Sequence, residues 1–369
     1  TPGFSVNFNA NQSYTNTFVT YSGSLLGETF AENLFTVGTN NFQNSVNGTF
    51  SITNVSGGLA LLYTTSFNPG ASYEWNAGSG DWTVSGNWVG NAAPTNDSLL
   101  VFTGGAGTAT NNAAVTTVTG VLFSNTSGSI ALAGDAFALG AGGIENISAN
   151  AHTISNNIDL ADDLSILASS NGITVAGNIT NDTASRVLTV GGSENTAISG
   201  AVSGAGDLSK IGLGTLTLSG ANSFTGSLAV NGGETIVSGS VATTSIAINS
   251  GGTLSLGAAD ALADGATVTA DMGTLSTATF NDTIATLVLT NGATVSGTGV
   301  LTATTYTLGG ATVSGALGAG TANVSDAVSL TGTMASTTLN LNTGGTLTLG
   351  SADRIGDSTA VVIGGGTLA

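Results

Sequence analysis

The chain contains no cysteine, so no disulfide holds its fold. The lack of thiols does not fix a compartment, but it suits a polypeptide that crosses a cell envelope unfolded. Basic residues are almost missing. Arg186, Lys210 and Arg354 stand against 21 acidic residues, for a net charge of −18. Such a surface repels nucleic acid and anionic lipid, and it suits divalent cations. Only 7% of residues are charged, where an ordinary globular domain has about a quarter. No apolar run approaches the roughly 18 residues that a spanning helix needs. No charged and apolar leader opens the segment; if the protein is secreted, its signal is expected to have been removed or to lie outside it. Nothing carries the period of an amphipathic helix. Ala258 to Ala263 and Ser351 to Ile355 have room for one helical turn each.

Glycine, serine, threonine and asparagine take the place of charge, with 56 glycines in 369 residues. That mixture alone would suggest disorder, but 41% of the chain is hydrophobic and those residues alternate. In the stretch from Leu208 to Gly239, Leu216 and Leu218 alternate with Thr215 and Thr217. Ser-Gly-Ala-Asn breaks that strand. Leu228 and Val230 resume the alternation, Asn-Gly-Gly breaks it again, and Ile236 follows. Each strand is too short to bury anything alone. Gly214-Thr215-Leu216 is echoed at Gly252-Thr253-Leu254, Gly273-Thr274-Leu275, Gly345-Thr346-Leu347 and Gly366-Thr367-Leu368. A period of roughly 20 residues is that of a solenoid with one coil per repeat. The segment from Asn249 to Ser276 also aligns without a gap on Asn342 to Ala369, an offset close to five coils. The alternation predicts that Leu216, Ile236, Leu254 and Leu275 stack in one inward column, with Ser and Thr outward and Asn and Gly at the corners.

The stretch GLGTLTLSGANSFTGSLAVNGG resembles the autotransporter-associated β-strand repeat, also called the passenger-associated transport repeat. Gly212, Gly214, Leu216, Leu218, Gly220, Asn222, Phe224 and Gly226 fill its pattern. The Trp-rich stretch from Trp75 to Phe102 resembles the segment that often precedes such repeats. The resemblance extends from Trp75 onward. It implies a secreted or surface-displayed passenger, extracellular or on a bacterial cell, and it is unspecific for any activity.

Three regions follow. Residues 1–68 are dense in Phe, with alternation at Phe4-Val6-Phe8 and an apolar run from Leu59 to Tyr63. They read as a separate β segment, either sandwich-like or the end of a preceding repeat block. Residues 69–127 hold Trp75, Trp82 and Trp88 and read as an aromatic cap over the first coil's open edge; the competing reading is a sugar-stacking platform. Residues 128–369 read as solenoid, roughly 12 coils at about 4.8 Å each. The fold expected is all-β, a right-handed parallel β-solenoid (β-helix). The final Gly364 to Ala369 stops inside a unit that continues in the earlier copy, so the solenoid is expected to run on or to stack on another copy in a fibre.

Candidate chemistry is sparse. The single histidine, His152, has Asn150, Thr153, Ser155 and Asn156 around it and reads as a surface or corner residue, since a Ser–His pair is recognised by geometry and not by composition. Asp162 and Asp163 are adjacent. Asp260 and Asp264 recur as Asp353 and Asp357 in the long repeat. Recurrence favours turn chemistry, with calcium binding at these six acids as the weaker alternative and no other cofactor expected. Lyase chemistry on an acidic sugar needs a base and a cluster of cations, which three scattered basic residues do not supply. The function expected is structural or adhesive, without catalysis. Its expected partners are further segments or copies of the same polypeptide in a fibre, and surface glycans. The alternative is a carbohydrate-binding or polysaccharide-degrading β-helix.

Overall fold

The computed structural model describes residues 14–20, 48–55 and 58–65 as backbone strands, and residues 71–112, 115–184 and 186–369 with their side chains. The strand expected at Phe4-Val6-Phe8 lies outside the described residues. Tyr14–Thr20, Gly48–Val55 and Gly58–Thr65 form their own antiparallel sheet, with Gly58–Thr65 in the middle.

From Ser72 onward every ladder is parallel. One sheet of 15 strands takes a single strand from each coil, beginning at Gly80–Asp81 and ending at Thr367–Leu368. Thirteen of those strands follow Ser129, one more than the sequence period suggests. A second ladder climbs through Leu164–Ala168, Val187–Gly192, Asp207–Lys210 and Leu228–Val230. A third, of shorter strands, climbs through Ile158–Leu160, Ile179–Asn181 and Val202–Gly204. The long strand Phe137–Asn146 serves both: Phe137 pairs with Ile158 on the third ladder and Ile144 with Ile166 on the second. The result is an all-β solenoid. Among the described residues there is no α-helix, only a 3-10 turn at Ser85–Asn87. The two stretches with room for a helical turn are bends instead. Each carries one bridge, Leu262 to Val241 and Ile355 to Met334, so the long sequence repeat is also a repeat in space.

Alternation places the core. Leu164, Leu188, Leu208, Leu228, Ile246 and Val268 stack in one inward column, and all are buried. On the 15-stranded sheet the inward column runs Thr196, Leu216, Thr235, Leu254, Leu275, Val295. Ile236 is not in it. Its register partners are Thr217 and Ser255, and it is half-buried on the outer face. Ile236 and Val237 are both apolar, so either could lead the alternation. The stack seats Val237 inside, which forces Thr235 inward as well.

Corners are tied by Asn and Asp side chains that accept a backbone N–H from the next coil. Asn157 takes Asn178 N (2.9 Å), Asn178 takes Ala201 N (2.9 Å), Asn195 takes Thr215 N (2.9 Å), Asp207 takes Ser227 N (2.6 Å) and Asn281 takes Val300 N (2.8 Å). These donors begin or precede strands, where the ladder alone leaves them unsatisfied. Short Asn–Asn contacts also form, from Asn249 to Asn231 at a corner, as expected of stacked corners, and from Asn340 to Asn323 within the strands Thr338–Asn342 and Thr321–Val324.

The parallel stack begins earlier than residue 128. Ser72–Trp75 pairs with Ser98–Phe102, which pairs with Thr117–Phe123, which pairs with Phe137–Asn146. The tryptophans are inside it, with Trp75 and Trp82 at 0% exposure and Trp88 at 1%.

Candidate functional site

An aromatic file fills the first coils. Trp88 meets Trp75 edge-on at 5.1 Å, and Phe102 lies 6.2 Å from Trp75. Phe102 and Phe123 are 5.4 Å apart, and the imidazole of His152 stacks flat on Phe123 at 3.9 Å and 9°. These rings have no exposed face, so they make no sugar platform. They fill the coil interior where aliphatic residues do so later.

His152 is therefore a core residue, 2% exposed, and not a surface one. It occupies the inward position above which Ile173 sits. Its Nδ1 accepts Ile130 N–H at 3.1 Å, so the ring proton is on Nε2 and points to Ser148 Oγ at 2.7 Å. Ser148, itself buried, reaches Asn146 Oδ1 and Asn150 O, both at 2.9 Å. The sequence reading placed no weight on Ser148. A partial signal was there: Asn146, Ser148, Asn150 and His152 are polar at every second position, although the chain turns a corner between the strands that end at Asn146 and begin at His152. The pair is not a nucleophile and its base. A general base needs an unprotonated nitrogen facing the hydroxyl, and here Nε2 is the donor. Burial pushes the imidazole down to about 4, so it is neutral at pH 7.

Two more ionisable groups are sealed in the core. Lys210 is 1% exposed and stands in an inward column between Val190 and Val230. Its ammonium donates to three carbonyls, Ile211 O at 2.7 Å and Gly212 O and Gly232 O at 3.1 Å. Burial lowers it to about 8. Asp282, 2% exposed, accepts Leu262 N–H on Oδ2 at 3.0 Å, while Oδ1 has no partner. Burial raises its carboxyl to about 6, and nearby Asp260 adds to the rise. Lys210 alternates with the inward Leu208, a signal of its side that the sequence reading did not use; nothing in the sequence marked Asp282.

The six acids weighed for calcium do not converge. Asp162 Oδ1 takes Asp163 N–H and Asp163 Oδ1 takes Val187 N–H, both at 2.8 Å. Asp260 and Asp353 hold the same left-handed turn, φ 50° and 60°, in the two copies of the long repeat. Asp264 and Asp357 are exposed. Among the described residues no three His, Asp or Glu side chains gather to hold a metal.

The repeat coil itself has a physical account. A Cβ on Gly214 would collide with the carbonyl of Glu194, and one on Gly220 with that of Gly200, each twenty residues earlier on the coil beneath. Asn222 accepts Val202 N–H at 3.0 Å and donates to Gly220 O and Ser240 O, so one side chain joins three coils. Phe224, Leu216 and Leu218 are buried. The Passenger-associated-transport-repeat family model matches residues 208–237, which is this coil. No curated protein and no solved structure matches the chain.

Proposed function

We propose that this chain is a structural or adhesive passenger displayed on a bacterial surface. The repeat at 208–237 and the β-solenoid fit an autotransporter passenger-like surface protein. The observation that carries the reading is the place of the matched coil: it sits mid-stack, in parallel register with the coils before and after it. A repeat so embedded serves to extend a rod. The reading includes no catalysis. It is supported by a Ser–His pair whose proton faces the wrong way and by a lysine closed off among carbonyls, unable to meet a substrate carboxylate. Neighbouring copies or further coils, and surface glycans, are the partners that fit a long rod covered in hydroxyls and poor in basic residues.

Antibody labelling of intact source cells tests the reading. Labelling should be strong, and external proteinase K should remove it. Labelling that appears only after lysis would overturn surface display. Beads coated with the protein, compared with albumin-coated beads on glycan arrays, separate an adhesive from a purely structural role.

A further inference from the structure

We propose that His152 is an acid-sensitive latch: a second proton on its ring disconnects the corner at residues 147–151 from the coils on either side and opens that corner while the rest of the stack stays closed. The hydrogen bonds define the latch. Ile130 N–H, in the preceding coil, points at Nδ1. The Nε2 proton faces Ser148 Oγ, which also takes Asn150 N–H at 3.1 Å. Asn150 Nδ2 reaches back to Ser127 O at 2.9 Å, and Asn146 Nδ2 reaches forward to Asn171 O at 3.0 Å. The ring thus ties one corner to two neighbouring coils.

A second proton can go only on Nδ1. There it would meet the Ile130 N–H, donor against donor, in a buried site. Among the described residues no charged side chain is a hydrogen-bond partner of the ring to compensate. Strands Thr117–Phe123 and Ile173–Val175 carry no charge. Of the acids on the other packed elements, Asp135 follows Ile130–Gly134 and is exposed, and Glu145 on Phe137–Asn146 takes Ser169 Oγ. The Phe123 face offers a cation some attraction, but no acceptor. Burial lowers the ring from 6.5 to about 4, so the sign is set. The latch holds fully above about pH 6.5 and is lost as pH falls through about 4. Opening stays local because each coil contacts only its neighbours.

Hydrogen exchange on the whole chain, at pH 7 and near pH 4 and corrected for intrinsic rates, tests this. Protection of the Ile130 and Asn150 amides should fall about tenfold or more in acid, with amides near Leu216 and Leu218, distant from both His152 and Asp282, as the unchanged reference. His152→Gln, which cannot take the proton, should abolish the acid dependence. If that variant does not fold, nitrogen NMR of the wild-type ring decides, since the chain has one histidine. It should show the Nε2–H tautomer and a midpoint below about 5. Exchange unchanged by acid, acid dependence that survives in His152→Gln, or a ring that titrates like a free imidazole would each overturn the latch.

Discussion

The coils before residue 192 and those after 215 share one ladder pattern and fill it differently. In the first group the coils are wide: Ile144 pairs with Ile166, 22 residues on, and Leu164 with Leu188, 24 on. Their interiors hold tryptophan, phenylalanine and a buried His–Ser–Asn network. In the second group the coils narrow, until Tyr306 pairs with Ala322, 16 residues on. Leu, Val and Ala columns fill most of those, with Phe224 and Tyr306 as buried rings, and Tyr306 has its hydroxyl bonded at Ala303 N and Leu301 O. The rings and the His–Ser–Asn network enter the earliest coils, and the polar groups buried there must be satisfied inside.

The sharpest test of the aliphatic half is its column. Leu254→Ala should cost about 2–5 kcal/mol, measured by chemical denaturation, while Ile236→Ala, on the outer face, should cost about 1 kcal/mol or less. Equal losses would mean that the register is wrong. Next in size is the opposite response of the two halves to pH. Asp282 is raised from 3.8 to about 6, so its contribution is fully present below the lower value and is lost as pH rises through the upper one. That loss is about 3 kcal/mol at most. His152 loses its contribution in the other direction. Asp282→Asn should therefore flatten the decline between pH 4 and 6 around Leu262 and leave the His152 corner untouched; hydrogen exchange resolves the two. A smaller effect concerns Thr235, whose buried hydroxyl has no partner. Thr235→Val should raise stability by about 1 kcal/mol, seen as a higher denaturation midpoint. Last, trypsin should leave the native bond after Lys210 intact, because the side chain is enclosed. Rapid cleavage there would show that the boundary between the halves opens readily.

Much of this was legible in the residues. Gly-Thr-Leu echoes locate the 15-stranded sheet because backbone stacking demands glycine where coils touch, and leucine alternation locates the inward side. The errors share one cause: alternation gives two sides but does not say which is wet. With Ile236 beside Val237, either phase satisfies the pattern, and only the neighbouring coils break the tie. His152 was placed outside because polar residues usually are, yet a wide coil had room for it. The tryptophans were read as a cover over an open edge; they lie buried within the first coils. Asp282 had no signature at all, since its burial depends on Leu262 presenting an N–H from another coil.

The axial direction of the inter-coil bonds has a mechanical meaning. Parallel ladders and the Asn and Asp corner bonds run from coil to coil along the rod, so tension applied at its ends is borne by every coil junction and the weakest yields first. A junction that yields releases a length of chain and spares the rest. Twenty residues freed from the stack extend to about 70 Å in place of about 5 Å of rod. Under load the molecule would lengthen in discrete steps, dissipating force at each, and could rewind coil by coil when the pull ends. A rod built this way is also a shock absorber.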